Sequence, residues 1–120
     1  VPAATLTIPP LAEHVRTARL VAVAAARRAG LDEEVVDDVR LAVGEVVARA
    51  VRRHIAVGSS ADVALVLRDD ASQFAVEVSD AADHVLPDDD GVAFALVSAL
   101  VPELRADGSR VVLAWPVSRR

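Results

Sequence analysis

The chain contains no cysteine, which excludes a disulfide framework, a thiolate nucleophile and a zinc ribbon. Lysine is absent as well, so no side chain can form a Schiff base or make the ammonium contact of a phosphate-binding P-loop. There is no asparagine to hold a metal through its side-chain amide. Methionine and tyrosine are also missing, and only 2% of residues are aromatic, with Trp115 the single indole. No run of roughly eighteen apolar residues escapes a charge, which excludes a membrane-spanning helix. The first residues (Val1-Pro2-Ala3-Ala4-Thr5) lack the basic and apolar regions of a secretory signal. Because the chain starts at Val1 instead of Met, further residues are expected upstream.

The 120 residues carry a net charge of −5, and 53% are hydrophobic, which excludes intrinsic disorder. That length predicts one domain over 1–120, able to bury roughly two-thirds of its unfolded surface. All positive charge is arginine, and it is dispersed along an acidic chain. Nucleic-acid binding depends on concentrated positive charge, so no nucleic-acid partner is expected. A soluble, cytoplasmic protein fits these features.

Ala4–Ile8 alternates apolar and polar residues and stops at Pro9-Pro10, predicting a short edge strand. From Leu11 to Ala29 apolar residues recur every three or four positions, with Arg16, Arg19, Arg27 and Arg28 between them. This predicts an amphipathic helix ended by Gly30. Asp32 is the expected N-cap of a second helix, with Glu33 and Glu34 at its positive end. Val35, Val39, Ala42, Val46 and Ala50 form its apolar stripe; Arg52, Arg53 and His54 suit its carbonyl end before Gly58. Asp62–Arg68 and Phe74–Ser79 predict a β-hairpin, and the acidic segment 80–90 a loop. Gly91–Arg105 has a helical pattern with Pro102 as a kink or early stop, and Arg110–Val117 predicts a last strand. The order β-α-α-β-β-α-β predicts an α+β two-layer sandwich, its mixed or antiparallel sheet covered by helices on one face.

Few constellations carry chemistry. Glu45 and Arg49 stand four apart on the second helix, a spacing that suits a structural ion pair. Asp80 ends a strand, where an aspartate commonly forms a turn. His14, His54 and His84 show no metal-ligand spacing, and Ser59, Ser60 and Ser79 have no evident base, so no metal site or serine nucleophile is expected. Asp88-Asp89-Asp90 reads as a solvated turn with weak attraction for a divalent ion.

Taken together, the edge strand, the arginine-bearing first helix, the run LDEEVVDDVRLAVGEVVARAV, the hairpin, Asp80 and the run GVAFALVSALVPELR resemble the anti-sigma-factor serine kinases. These are the small regulatory branch of the Bergerat-fold GHKL ATPases. The resemblance spans nearly the whole chain and implies that fold. In the family the second helix carries E-x-x-x-N, where Glu is the base toward a partner's hydroxyl and Asn coordinates the Mg²⁺ bridging the ATP phosphates. Glu45 matches the Glu, whereas Arg49 stands at the Asn position. The family's D-x-G-x-G is matched by Asp80, which would accept from the adenine amino group, but Ala82 and His84 replace its glycines. Its glycine-rich lid is reduced to Asp88-Asp89-Asp90-Gly91-Val92-Ala93.

A guanidinium at the Mg²⁺ position would repel the cation by several kcal/mol at about 4 Å and an effective dielectric near 20. A loss of ~4 kcal/mol weakens binding by about three decades. The resemblance therefore implies a degenerate nucleotide site in which Glu45, Arg49 and Asp80 are vestigial, with no cofactor and no metal. The counter-reading has Arg49 itself neutralising phosphate. Arg19 falls where the family uses an arginine to contact its sigma factor and the competing anti-anti-sigma (STAS-type) protein; read without the resemblance, it is a solvated helix charge. The family also pairs its subunits, implying a homodimer. The leading expectation is an anti-sigma factor that sequesters an alternative sigma factor. The alternatives are an active ATP-dependent serine kinase phosphorylating an anti-anti-sigma factor, and a pseudokinase scaffold for another partner.

Overall fold

A computed structural model describes residues 3–70, 72–80, 91–107 and 109–117, with the side chains of 91–93 left out. A strand β1 (Ala3–Ile8) leads through a 3-10 turn (Ala12–His14) into α1 (Val15–Arg28) and α2 (Glu33–Val57). Strands β2 (Val63–Asp69) and β3 (Gln73–Ser79) follow, then α3 (Gly91–Leu100), β4 (Glu103–Asp107) and β5 (Arg110–Pro116).

The buried stripe of α1 is Ala18, Ala22 and Ala26 with Val23, and small side chains at this spacing let it lie close to its neighbours. The helix ends as its sequence predicts. Gly30 adopts φ 91°, and the Leu31 N–H reaches back to the Ala26 carbonyl at 3.2 Å, closing the last turn. Asp32 then takes the N-cap position with an extended backbone, although its side chain makes no capping hydrogen bond. Instead the Asp32 carbonyl accepts from the Val36 N–H at 2.9 Å, and Glu33 pairs with Arg27 of α1 at 3.0 Å. At the other end of α2, Gly58 sits at φ 69° and the Ser59 N–H closes onto the His54 carbonyl at 2.9 Å.

The five strands are antiparallel throughout, in the order β1-β2-β3-β5-β4. Register brings Leu65, Val78 and Val111 into one row, and Leu67, Val76 and Leu113 into the next. These residues, with Phe74 and Trp115, are buried in one core cluster with the inner stripes of α1 and α2. The opposite face of the sheet carries Thr5, Val66, Glu77, Val112 and Arg105 in a row, and there Glu77 lies between Arg68 at 3.8 Å and Arg110 at 3.3 Å. The fold is thus α+β, two layers, with an antiparallel sheet.

The β2–β3 hairpin turns on Asp70, whose carboxylate accepts from the Ser72 and Gln73 N–H groups, each at 2.8 Å. One expected element changes. The helical pattern over Gly91–Arg105 carries Pro102 as a kink or early stop, and the helix does stop early, at Leu100; what the pattern does not predict is that Glu103–Asp107 forms β4 against β5. Pro102 has no N–H to continue the helix and disfavours a helical Val101. Beyond it, Leu104 pairs with Leu113 and Ala106 with Val111, so pairing with β5 claims the segment. Trp115 stabilises the break by donating its indole N–H to the free Leu100 carbonyl at 3.1 Å. Among the described residues, no helix is long and apolar enough to cross a membrane.

Candidate functional site

Glu45, Arg49 and Arg53 recur every fourth residue of α2 and therefore lie along one side of it. Arg53 meets the residue just past β3, and Arg49 meets α3. Asp80, the first residue beyond β3, is held by its own backbone, whose N–H donates to the Ser109 carbonyl at 2.9 Å just before β5. This fixes the carboxylate at the sheet end facing α2.

The strongest feature there is an ion pair. Arg53 Nε lies 3.4 Å from Asp80 Oδ2, and the two side chains are only 13% and 3% exposed. An isolated charge so deep would be heavily penalised, so each partner makes the other's burial tolerable. One turn earlier, Arg49 is buried at 7% exposure with its guanidinium 4.6 Å from the centre of the Phe94 ring on α3. A cation over an aromatic face at that distance is attracted by the ring quadrupole. Glu45, half-buried, has Arg52 at 3.9 Å, the far limit of an ion pair, with Arg52 largely exposed. That contact is weak.

Asp80 is thus joined to α2 through Arg53, Arg49 stands one turn earlier against α3, and Glu45, at the middle of α2, lies beside Arg52. Two members of this group were not singled out by the sequence. By position Arg53 suits the carbonyl end of α2 but it turns to Asp80 instead, and in sequence Phe94 is one apolar residue of a helical run. The fourfold spacing Glu45-Arg49-Arg53 was the available signal for the first. Ala82, His84 and Asp88–Asp90 lie outside the described residues.

Arg19 stands apart on the exposed side of α1. Its stem crosses α2 where Gly44 lacks a side chain: a Cβ at Gly44 would come within 2.6 Å of Arg19 Cδ. The glycine before Glu45 therefore provides the slot in which this arginine lies. Arg16 and Arg19 form no ion pair or hydrogen bond among the described residues, and α1 contains no carboxylate that could supply one.

Residues 8–114 match the family model described as a histidine kinase-like ATPase domain. No curated protein matches the chain.

Proposed function

The chain belongs to the histidine kinase-like ATPase domain family, of GHKL type, and we propose that within it this is a binding protein that has left nucleotide chemistry behind. In this reading it is an anti-sigma factor acting in the cytoplasm. It sequesters an alternative sigma factor and releases it when an anti-anti-sigma (STAS-type) protein competes. It performs no phosphoryl transfer, and it works as a homodimer.

The observation that carries the reading is the buried Arg53–Asp80 pair. If Asp80 is the family's adenine-contacting aspartate, its carboxylate is already engaged by a guanidinium, and a base entering there must compete with an ion pair. The Mg²⁺ position is equally unsuited. Arg49 offers no oxygen ligand, and its charge is turned beneath Phe94. The residues present do not fit Mg-ATP. Glu45 remains as a carboxylate without a reaction to serve.

The binding half has support of its own. Arg16 and Arg19 are exposed cations on α1, Leu20 beside them is 57% exposed, and Leu41 on the neighbouring helix is 58% exposed. Exposed arginines of this kind are suited to receive a carboxylate of a partner, and arginine is enriched among the residues that dominate interfaces.

Two measurements test the reading. Calorimetric titration with Mg-ATP is expected to show no binding; micromolar affinity abolished by Asp80→Ala, or label passing from ATP to a serine of a co-purified regulator, would establish the kinase instead. Purification from the source cell should yield a sigma factor identifiable by mass spectrometry, with Arg19→Glu weakening the complex. A different protein held equally by wild type and Arg19→Glu would favour a scaffold.

A further inference from the structure

A cavity of about 540 Å³ opens between the C-terminal half of α1 and the hairpin end of the sheet. Its floor is Leu67 and Phe74, both buried, and its wall on α1 is Val21, Ala24 and Ala25. Ala3 and Ala4 of β1 also border it. Alanines on both the helix and the strand leave space that larger side chains would fill. Phe74 lies near the start of β3 and Asp80 just past its end, so the cavity is about 20 Å along the strand from the Arg53–Asp80 pair. It does not belong to that site.

Two charged residues stand at this cavity, Arg28 and Asp69. Arg28 is exposed and forms no ion pair or hydrogen bond among the described residues, although Arg27 beside it is paired with Glu33. An apolar chamber within the usual size range of small-ligand sites, about 300–1,000 Å³, with an exposed guanidinium at its edge, has the layout of a site for an amphiphilic anion.

We propose that this cavity binds a small organic acid, with an aliphatic or aromatic body against Val21, Leu67 and Phe74 and a carboxylate or sulfonate on Arg28. Nothing in this depends on how the Asp80 end functions. The chain carries its own reporter, because the Trp115 ring centroid is 6.3 Å from that of Phe74. A body packed on Phe74 perturbs the emission of the only tryptophan.

The probes are decanoate and 8-anilinonaphthalene-1-sulfonate, titrated into the full chain with Trp115 emission and energy transfer as readouts. Saturable binding of one molecule per chain is expected, with decanoate displacing the sulfonate. Arg28→Ala should weaken both roughly tenfold, the size of one charge-assisted hydrogen bond. Arg16→Ala removes the same charge from α1 away from the cavity and should change affinity less than about twofold. Ala24→Phe, at an exposed position, fills the chamber and should abolish binding; Ala25→Phe repeats the test from the half-buried neighbour. Decyltrimethylammonium should bind more weakly than decanoate. Unsaturable binding, equal losses with Arg28→Ala and Arg16→Ala, equal affinity for the cationic amphiphile, or no binding at all would each overturn the proposal.

Discussion

Helices α1 and α2 each carry four arginines, and the two sets meet different surroundings. On α2 every one has a partner: Arg40 with Asp37 at 2.8 Å, Arg49 with the Phe94 ring, Arg52 with Glu45 at 3.9 Å, and Arg53 with Asp80 at 3.4 Å. On α1 only Arg27 is paired, with Glu33 of α2; Arg16, Arg19 and Arg28 have no ion pair among the described residues. Part of the cause is in the sequence, because α2 supplies Asp37 and Glu45 to its own Arg40 and Arg52 whereas α1 contains no carboxylate; Arg49 and Arg53 find their partners in the fold. Position completes the contrast. Arg49, buried, and Arg53, mostly enclosed, lie where α2 packs on α3 and the sheet end, whereas the arginines of α1 are exposed. A charge enclosed with its counter-charge holds structure; one left exposed and unpaired is available to something outside the chain.

The largest effect should come from breaking the enclosed pair. Arg53→Ala leaves the Asp80 carboxylate, 3% exposed, without this cation and should lower unfolding stability by about 3 kcal/mol. Urea denaturation with an unchanged slope measures it. Replacing both partners, Arg53→Met with Asp80→Leu, should lose less than the two single changes added together, because no charge is stranded. Single changes that each lose under about 1 kcal/mol would remove the distinction between the helices.

Phe94→Leu comes next. It keeps an apolar side chain against the core but removes the ring face over Arg49, and should lose about 1 kcal/mol. The same substitution in an Arg49→Met background should lose less, since no cation remains to be stabilised. Equal losses in the two backgrounds would assign the Phe94 contribution to packing alone.

How much of this could be read from residues alone differs by element. The β2–β3 hairpin was legible because alternation and the Asp70 turn are local signals, and α1 and α2 because their stripes and glycine stops are. Strand β4 was not. Its five residues, Glu103–Asp107, are mostly charged and carry no strand alternation long enough to read, and their state is decided by Pro102 together with hydrogen bonds to β5, a tertiary partner that overrides local preference. The candidate site divides the same way. Asp80, Glu45 and Arg49 are legible as candidates from motif spacing alone; in the fold Asp80 meets α2 through Arg53, Arg49 lies one turn earlier against Phe94, and Glu45 stands at the middle of the helix beside Arg52. Arg53 was visible as a helix charge, but its choice of Asp80 over the helix carbonyls spans 27 positions and required the fold.

Gly44→Ala sharpens the comparison from the α1 side without touching a charge. The new methyl must push Arg19 Cδ from its 2.6 Å approach, and a long side chain can swing away. Alanine favours the helix over glycine by up to about 1 kcal/mol, which offsets the lost packing, so the net stability change should stay under about 1 kcal/mol. Partner binding, in contrast, should weaken if the orientation of Arg19 matters as well as its charge. Wild-type affinity in a folded Gly44→Ala protein would reduce Arg19 to a solvated charge.

Arg19→Glu should have the smallest effect on folding, within about 0.5 kcal/mol, because an exposed position without a counter-charge has little to lose. This near-silence in stability gives the variant its value. A protein that unfolds at the wild-type urea midpoint yet fails to retain its partner has lost an intermolecular contact, and the loss cannot be assigned to misfolding. Salt provides an independent check. If Arg16 and Arg19 meet carboxylates of the partner at a rim, wild-type affinity should fall as ionic strength rises and the slope should flatten in Arg19→Glu. An Arg53 variant should behave in the opposite manner, shifting the unfolding midpoint while its folded fraction binds the partner with an unaltered salt slope. Should both arginines move stability and binding together, the division between an enclosed structural set and an outward binding set would fail.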